Sequence, residues 1–64
     1  MDIKTARKVT CGQRVKYAPD GAVGTVDGVR YEHPDPRAKP PLFHVRYENG
    51  VVMPEVTHQL LDLE

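Results

Sequence analysis

The sequence predicts an all-β fold: a small barrel of four to five antiparallel strands, with one short 3-10 turn before the last strand. Three observations carry this expectation. Residues 43–54, FHVRYENGVVMP, alternate apolar and polar side chains on the approach to an Asn-Gly pair, the pattern of a strand entering a hairpin. Short valine-rich runs alternate with Gly, Pro and Asp turn signals from Gly12 onward. The one helix-like spacing, Val56, Leu60 and Leu63, is too short to form a stable helix alone.

With 64 residues there is room for one domain and one small core. A chain of this size buries only about 60% of its unfolded surface, so its stability is marginal without a supplement. Cys11 is the only cysteine, which excludes an intrachain disulfide and fits a reducing, cytoplasmic setting. No apolar run approaches the roughly 20 residues of a membrane span. The opening MDIKTARKVT has basic residues without an apolar stretch after them, unlike a signal peptide.

The formal net charge is zero, yet the charges are segregated. Residues 1–18 carry Lys4, Arg7, Lys8, Arg14 and Lys16 against Asp2, while residues 48–64 carry Glu48, Glu55, Asp62 and Glu64 with no Lys or Arg. A basic arm for an acidic partner is one reading. Neutralisation between neighbouring chain ends is the favoured one, because the ends of small domains often meet. The chain divides into an N-terminal basic segment, 1–11, and a barrel, 12–64.

The elements follow in order. QRVKY places Val15 and Tyr17 on one face and Arg14 and Lys16 on the other. APDG supplies Pro19 and Gly21 to a turn. AVGTVDGVRYE is a strand interrupted by Gly24 and Gly28, which signals a bulge, a bend or close backbone approach. Pro34, Pro36, Pro40 and Pro41 make the next segment a stiff, exposed loop that presents Arg37 and Lys39. No two of these prolines are three apart, so the PxxP spacing is absent.

In LFHVRYE, Phe43, Val45 and Tyr47 face the core. A two-residue type I′ turn at Asn49-Gly50 would set Glu48 opposite Val51, Tyr47 opposite Val52 and Arg46 opposite Met53. Val52 then joins the core, and Val51 and Met53 lie on the outer face. A 3-10 turn over residues 55–59 and a last strand over 60–63 complete the barrel.

GQRVKY, DGAVGTV, FHVRYENG and VTHQLLDL occur in the order of strands in SH3-like small barrels, and the chain resembles the KOW and Tudor-like group of that architecture. The resemblance implies the barrel fold and, as one function, nucleic-acid binding. The type II dihydrofolate reductases share the architecture and line a tetramer pore with a Val-Gln-Ile-Tyr segment. The nearest stretch here is Val51-Val52-Met53-Pro54, without the glutamine and tyrosine, so enzymatic activity of that kind is not expected.

Catalytic and metal chemistry find little support. Cys11, His33, His44 and His58 lie 11 or more residues apart, with no CxxC, HxxxH or HExxH spacing. Cys11 has no base beside it in sequence, and Asp20, Asp27 and Asp35 read as turn residues. No cofactor is expected. The predicted function is a non-catalytic binding module. A protein partner is favoured, through Tyr17, Tyr31, Arg37 and Lys39, or a second copy of the chain, through Val51 and Met53. Nucleic acid is the second choice, through Arg14, Lys16 and Arg46 on one outer face, because the net charge is not basic. Burial of Val51 and Met53 under Ile3 and Val9 is the alternative to self-association.

Overall fold

The computed structural model describes residues 1–35 and 39–64. A short helix, α1 (Ile3–Ala6), precedes five strands: β1 (Arg14–Tyr17), β2 (Val23–Arg30), β3 (Leu42–Tyr47), β4 (Val52–Thr57) and β5 (Leu61–Leu63). A 3-10 turn, His58–Leu60, joins β4 to β5. Among the described residues all pairings are antiparallel, in the order β4-β3-β2-β1-β5. This is an all-β fold compatible with an SH3-like small barrel. No helix among the described residues is long and apolar enough to cross a membrane.

Alternation along each strand builds the core. Val15, Val26, Phe43, Val45, Tyr47, Val56 and Leu61 are buried together, and Phe43 and Leu61 are fully enclosed. Side chains of this kind contribute roughly 1.5–3 kcal/mol each when buried. The basic segment 1–11 adds Ala6 and Val9 to the same core. Its helix starts at Asp2, whose carboxylate accepts the Thr5 N–H at 2.7 Å.

Both strand glycines have a structural role. Gly24 allows close approach to β3, since a Cβ there would lie 2.7 Å from the Arg46 carbonyl oxygen. Gly28 follows a bulge at Asp27, where the β2–β3 register passes from Val26↔Val45 to Gly28↔His44. Asp27 therefore lies within a strand, not in the turn its residue type suggested.

The β3–β4 hairpin departs from its predicted register. Arg46 pairs with Val52 and Val45 with Met53, one position away from the two-residue turn. The connection is Glu48-Asn49-Gly50, with Tyr47 donating to the Val51 carbonyl at 2.9 Å and Gly50 donating to the Tyr47 carbonyl at 3.1 Å. Only Gly50 takes positive φ, at 88°, and Asn49 instead accepts the Val51 N–H through its side chain at 3.0 Å. A turn closed by one left-handed glycine avoids placing asparagine in that region, and it adds one residue to the loop. Val52 is consequently exposed, whereas Met53 packs against the core.

A second irregularity restores the phase. Phe43 pairs with Val56 and Val45 with Met53, so Pro54 and Glu55 together oppose His44. Proline has no N–H to donate, which suits a bulge in an edge strand. The strand thus continues through Pro54 to Thr57, and the 3-10 turn falls at 58–60, later than expected.

Candidate interaction surfaces

The outer face of β1, β2 and β3 carries two separate sets of charged contacts, one around Arg14 and one around Asp27. Strand register sets Arg14, Thr25, Arg46 and Val52 side by side across four strands. Arg14 donates through Nε to Glu64 at 3.0 Å, contacts Glu48, and reaches the Thr25 hydroxyl at 3.4 Å. Hydrogen bonds to Glu48 and then Glu64 raise its pKa above the ordinary guanidinium value. Asp27, at its bulge, contacts His44 and lies 3.5 Å from the Arg46 guanidinium. Arg14, Thr25, Asp27, Arg46, Tyr47 and Glu48 line a shallow groove on this face.

Arg14, Lys16 and Arg46 are all exposed, and Arg14 and Arg46 lie in register through Thr25. Acidic groups accompany them. Glu48 and Glu64 bracket Arg14, Asp27 holds Arg46, and Asp62 is the cross-strand partner of Lys16. The chain ends meet, but the expected neutralisation is partial. The Met1 ammonium donates to the His58 carbonyl at 2.9 Å and lies 3.5 Å from Asp62, and Arg14 meets Glu64, while Lys4, Arg7, Lys8 and Lys16 form no ion pair among the described residues.

The other candidate residues separate. Tyr17 is half-buried and meets Tyr47 edge-on, with ring centroids 6.0 Å apart, so it supports the core instead of offering a free ring. The Tyr47 hydroxyl is buried with no hydrogen-bond partner, and burial, then Tyr17 and Asp20, push its pKa up. Tyr31 is exposed beside Glu32, His33 and Pro34, which line a second open groove. Lys39 approaches Glu32 at 3.7 Å. Arg37 lies outside the described residues.

Among the described residues, no group of three or more His, Cys, Asp or Glu is arranged to hold a metal. Cys11 is exposed.

Strand β4 is one edge of the sheet. Val51 and Val52, each 46% exposed, stand at its start beside the hairpin tip. Val9 is buried in the core and does not reach over them. Sequence reading missed Val52 as a surface residue, because its position depended on loop length. It also missed Asp27, Glu48 and Glu64 as the groups that neutralise the basic face. Segregated end charges were the one available signal for the last of these. Comparison of the chain with protein-family models, curated proteins and solved structures gives no match.

Proposed function

We propose that this protein is a non-catalytic binding module acting through protein–protein contact, in the first instance by pairing with a second copy along the β4 edge. The exposure of Val51 and Val52 on an edge strand carries the reading. An edge offers unpaired N–H and C=O groups, and adjacent valines add apolar area that association would remove from water. A two-fold, antiparallel meeting of two β4 strands sets the same residues against each other. Oligomerisation is also a common supplement for a chain with so small a core. The residues assigned to this contact are Val51 and Val52. Met53, predicted to share it, packs inward.

The nucleic-acid reading through Arg14, Lys16 and Arg46 is less favoured, because carboxylates already contact two of these three cations. Sedimentation equilibrium from micromolar to millimolar concentration tests the proposal. A mass rising from 7.2 kDa toward twice that value is expected for the natural sequence. Val51→Lys/Val52→Lys should remain monomeric. A monomer mass for the natural sequence at every concentration would overturn the reading.

A further inference from the structure

The ion pairs divide the cations into two sets. Arg14 contacts Glu48 and Glu64, Arg30 contacts Glu55, Lys39 contacts Glu32 and Arg46 contacts Asp27. Among the described residues, Lys4, Arg7, Lys8 and Lys16 have no carboxylate within 4.0 Å. Nearby acidic groups are engaged elsewhere: Asp2 caps the Thr5 N–H and Asp62 meets the Met1 ammonium. A chain of zero net charge therefore keeps Lys4, Arg7 and Lys8 without a close ion pair among the described residues, in an N-terminal segment where Asp2 is the one carboxylate and its charge acts on Lys4.

Local geometry brings these cations together. Hydrogen bonds from Arg7 to the Ile3 carbonyl and from Lys8 to the Thr5 carbonyl carry the helical path through Lys8. Residues 4, 7 and 8 then stand at i, i+3 and i+4 on one face. Ala6 and Val9 anchor the segment in the core, so Lys4 and Lys8 are displayed on a fixed support with Arg7 partly covered between them. Lys4 and Lys8 are exposed, and Arg7 is half-buried with its Nε enclosed and without an acceptor. Like charges at this spacing repel, which costs stability in the free protein. A helix C-terminus favours cations, but one turn of helix supplies only a small dipole to offset three of them.

We infer that Lys4, Arg7 and Lys8 form a docking surface for the phosphate backbone of a nucleic acid. A membrane surface would need an accessible apolar face beside the charges, whereas Ala6 and Val9 are buried in the core and Ile3 is half-buried. A protein partner would need a large apolar or aromatic anchor, and the exposed ones, Tyr31, Val51, Val52, Leu60 and Leu63, lie on other elements. A phosphate polymer needs only displayed cations, because release of condensed counterions drives its binding.

Fluorescence anisotropy with a labelled single-stranded RNA of mixed sequence, and with a DNA duplex of equal length, tests the assignment. Binding at low salt should weaken with a log–log slope of about −2 to −3, as three phosphate contacts require. Lys4→Gln/Lys8→Gln should reduce that slope by about 1.4–1.8 and weaken binding about tenfold or more at low salt. Lys4→Arg/Lys8→Arg should retain affinity. Arg30→Gln/Lys39→Gln removes the same formal charge from paired positions and should change affinity by less than about twofold. The assignment is overturned by any of three results: no binding at low salt, equal losses in the two glutamine variants, or tighter binding to phosphatidylserine vesicles than to either oligonucleotide.

Discussion

Gly24 lies directly across the sheet from Tyr47, and a Cβ at position 24 would fall 2.9 Å from the tyrosine ring. The missing side chain lets the ring lie down over β2, where it is buried and meets Tyr17 edge-on. Gly24→Ala should therefore destabilise the fold by about 1–3 kcal/mol, the usual cost of overpacking. Urea denaturation measures this. Gly28→Ala should cost less, because the new methyl group would meet only the His44 Cβ closely, at 3.2 Å, which asks for a shift of a few tenths of an ångström and not the larger one required at Gly24.

Two valines on one strand should respond differently. Val56 is buried opposite Phe43, and Val56→Ala should cost about 1–3 kcal/mol. Val52 is exposed opposite Arg46, and Val52→Ala should stay within about 0.5 kcal/mol in dilute, monomeric protein. The reverse order in denaturant midpoints would restore the two-residue turn.

The Asp2 cap predicts a pH dependence. Backbone and side-chain hydrogen bonding at Thr5 holds the Asp2 carboxyl below its ordinary value of 3.8. A group whose folded pKa is depressed binds protons more readily when unfolded, so its contribution is complete above that ordinary value. It is lost as pH falls through the lower folded pKa. Asp2→Asn keeps a capping side chain without titrating. Thermal melts of the two proteins should keep a constant offset above about pH 5 and converge or cross in more acidic buffer.

Arg14 ties three separate parts of the chain, and its loss should be felt at β5. Glu64 donates its N–H to the Arg14 carbonyl at 3.3 Å, and the side chains of the two residues meet at 3.0 Å. Arg14→Gln keeps the backbone bond but removes the charge. Amide exchange at Leu63 and Glu64 should accelerate, while exchange at Val26 and Val45 stays unchanged. High salt should narrow the difference between variant and natural protein, because the pair is exposed.

Much of this architecture was legible because strand alternation is local. Phe43, Val45 and Tyr47 announced their own burial, and Gly24 and Gly28 marked an approach and a bulge within β2. Asn49-Gly50 located the hairpin but not its length. Both a two-residue and a three-residue connection accept that pair, and the choice rested on whether Asn49 or only Gly50 took positive φ. That choice decided the faces of Val52 and Met53. The Pro54 bulge then returned Val56 to the core, a second shift that period-2 reading does not contain. The segment 1–11 hid its role for another reason: Ala6 and Val9 are isolated apolar residues among charges, with no period to expose them. Ion pairs such as Arg14–Glu64 join residues 50 positions apart, and sequence indicated only that the two ends carried opposite signs.

The bulge at Pro54 also limits how far one β4 strand can template another. A growing fibril requires a long, flat edge whose donors and acceptors continue without interruption. Here the ladder is broken after Met53 by a residue with no N–H, and Glu55 beyond it is held by Arg30 at 2.6 Å. Only the first residues of the strand present a regular edge beside Val51 and Val52. The proposed pairing along β4 would therefore be self-limiting at that edge, because once two short β4 edges had met, little regular β4 backbone would remain to recruit a third chain.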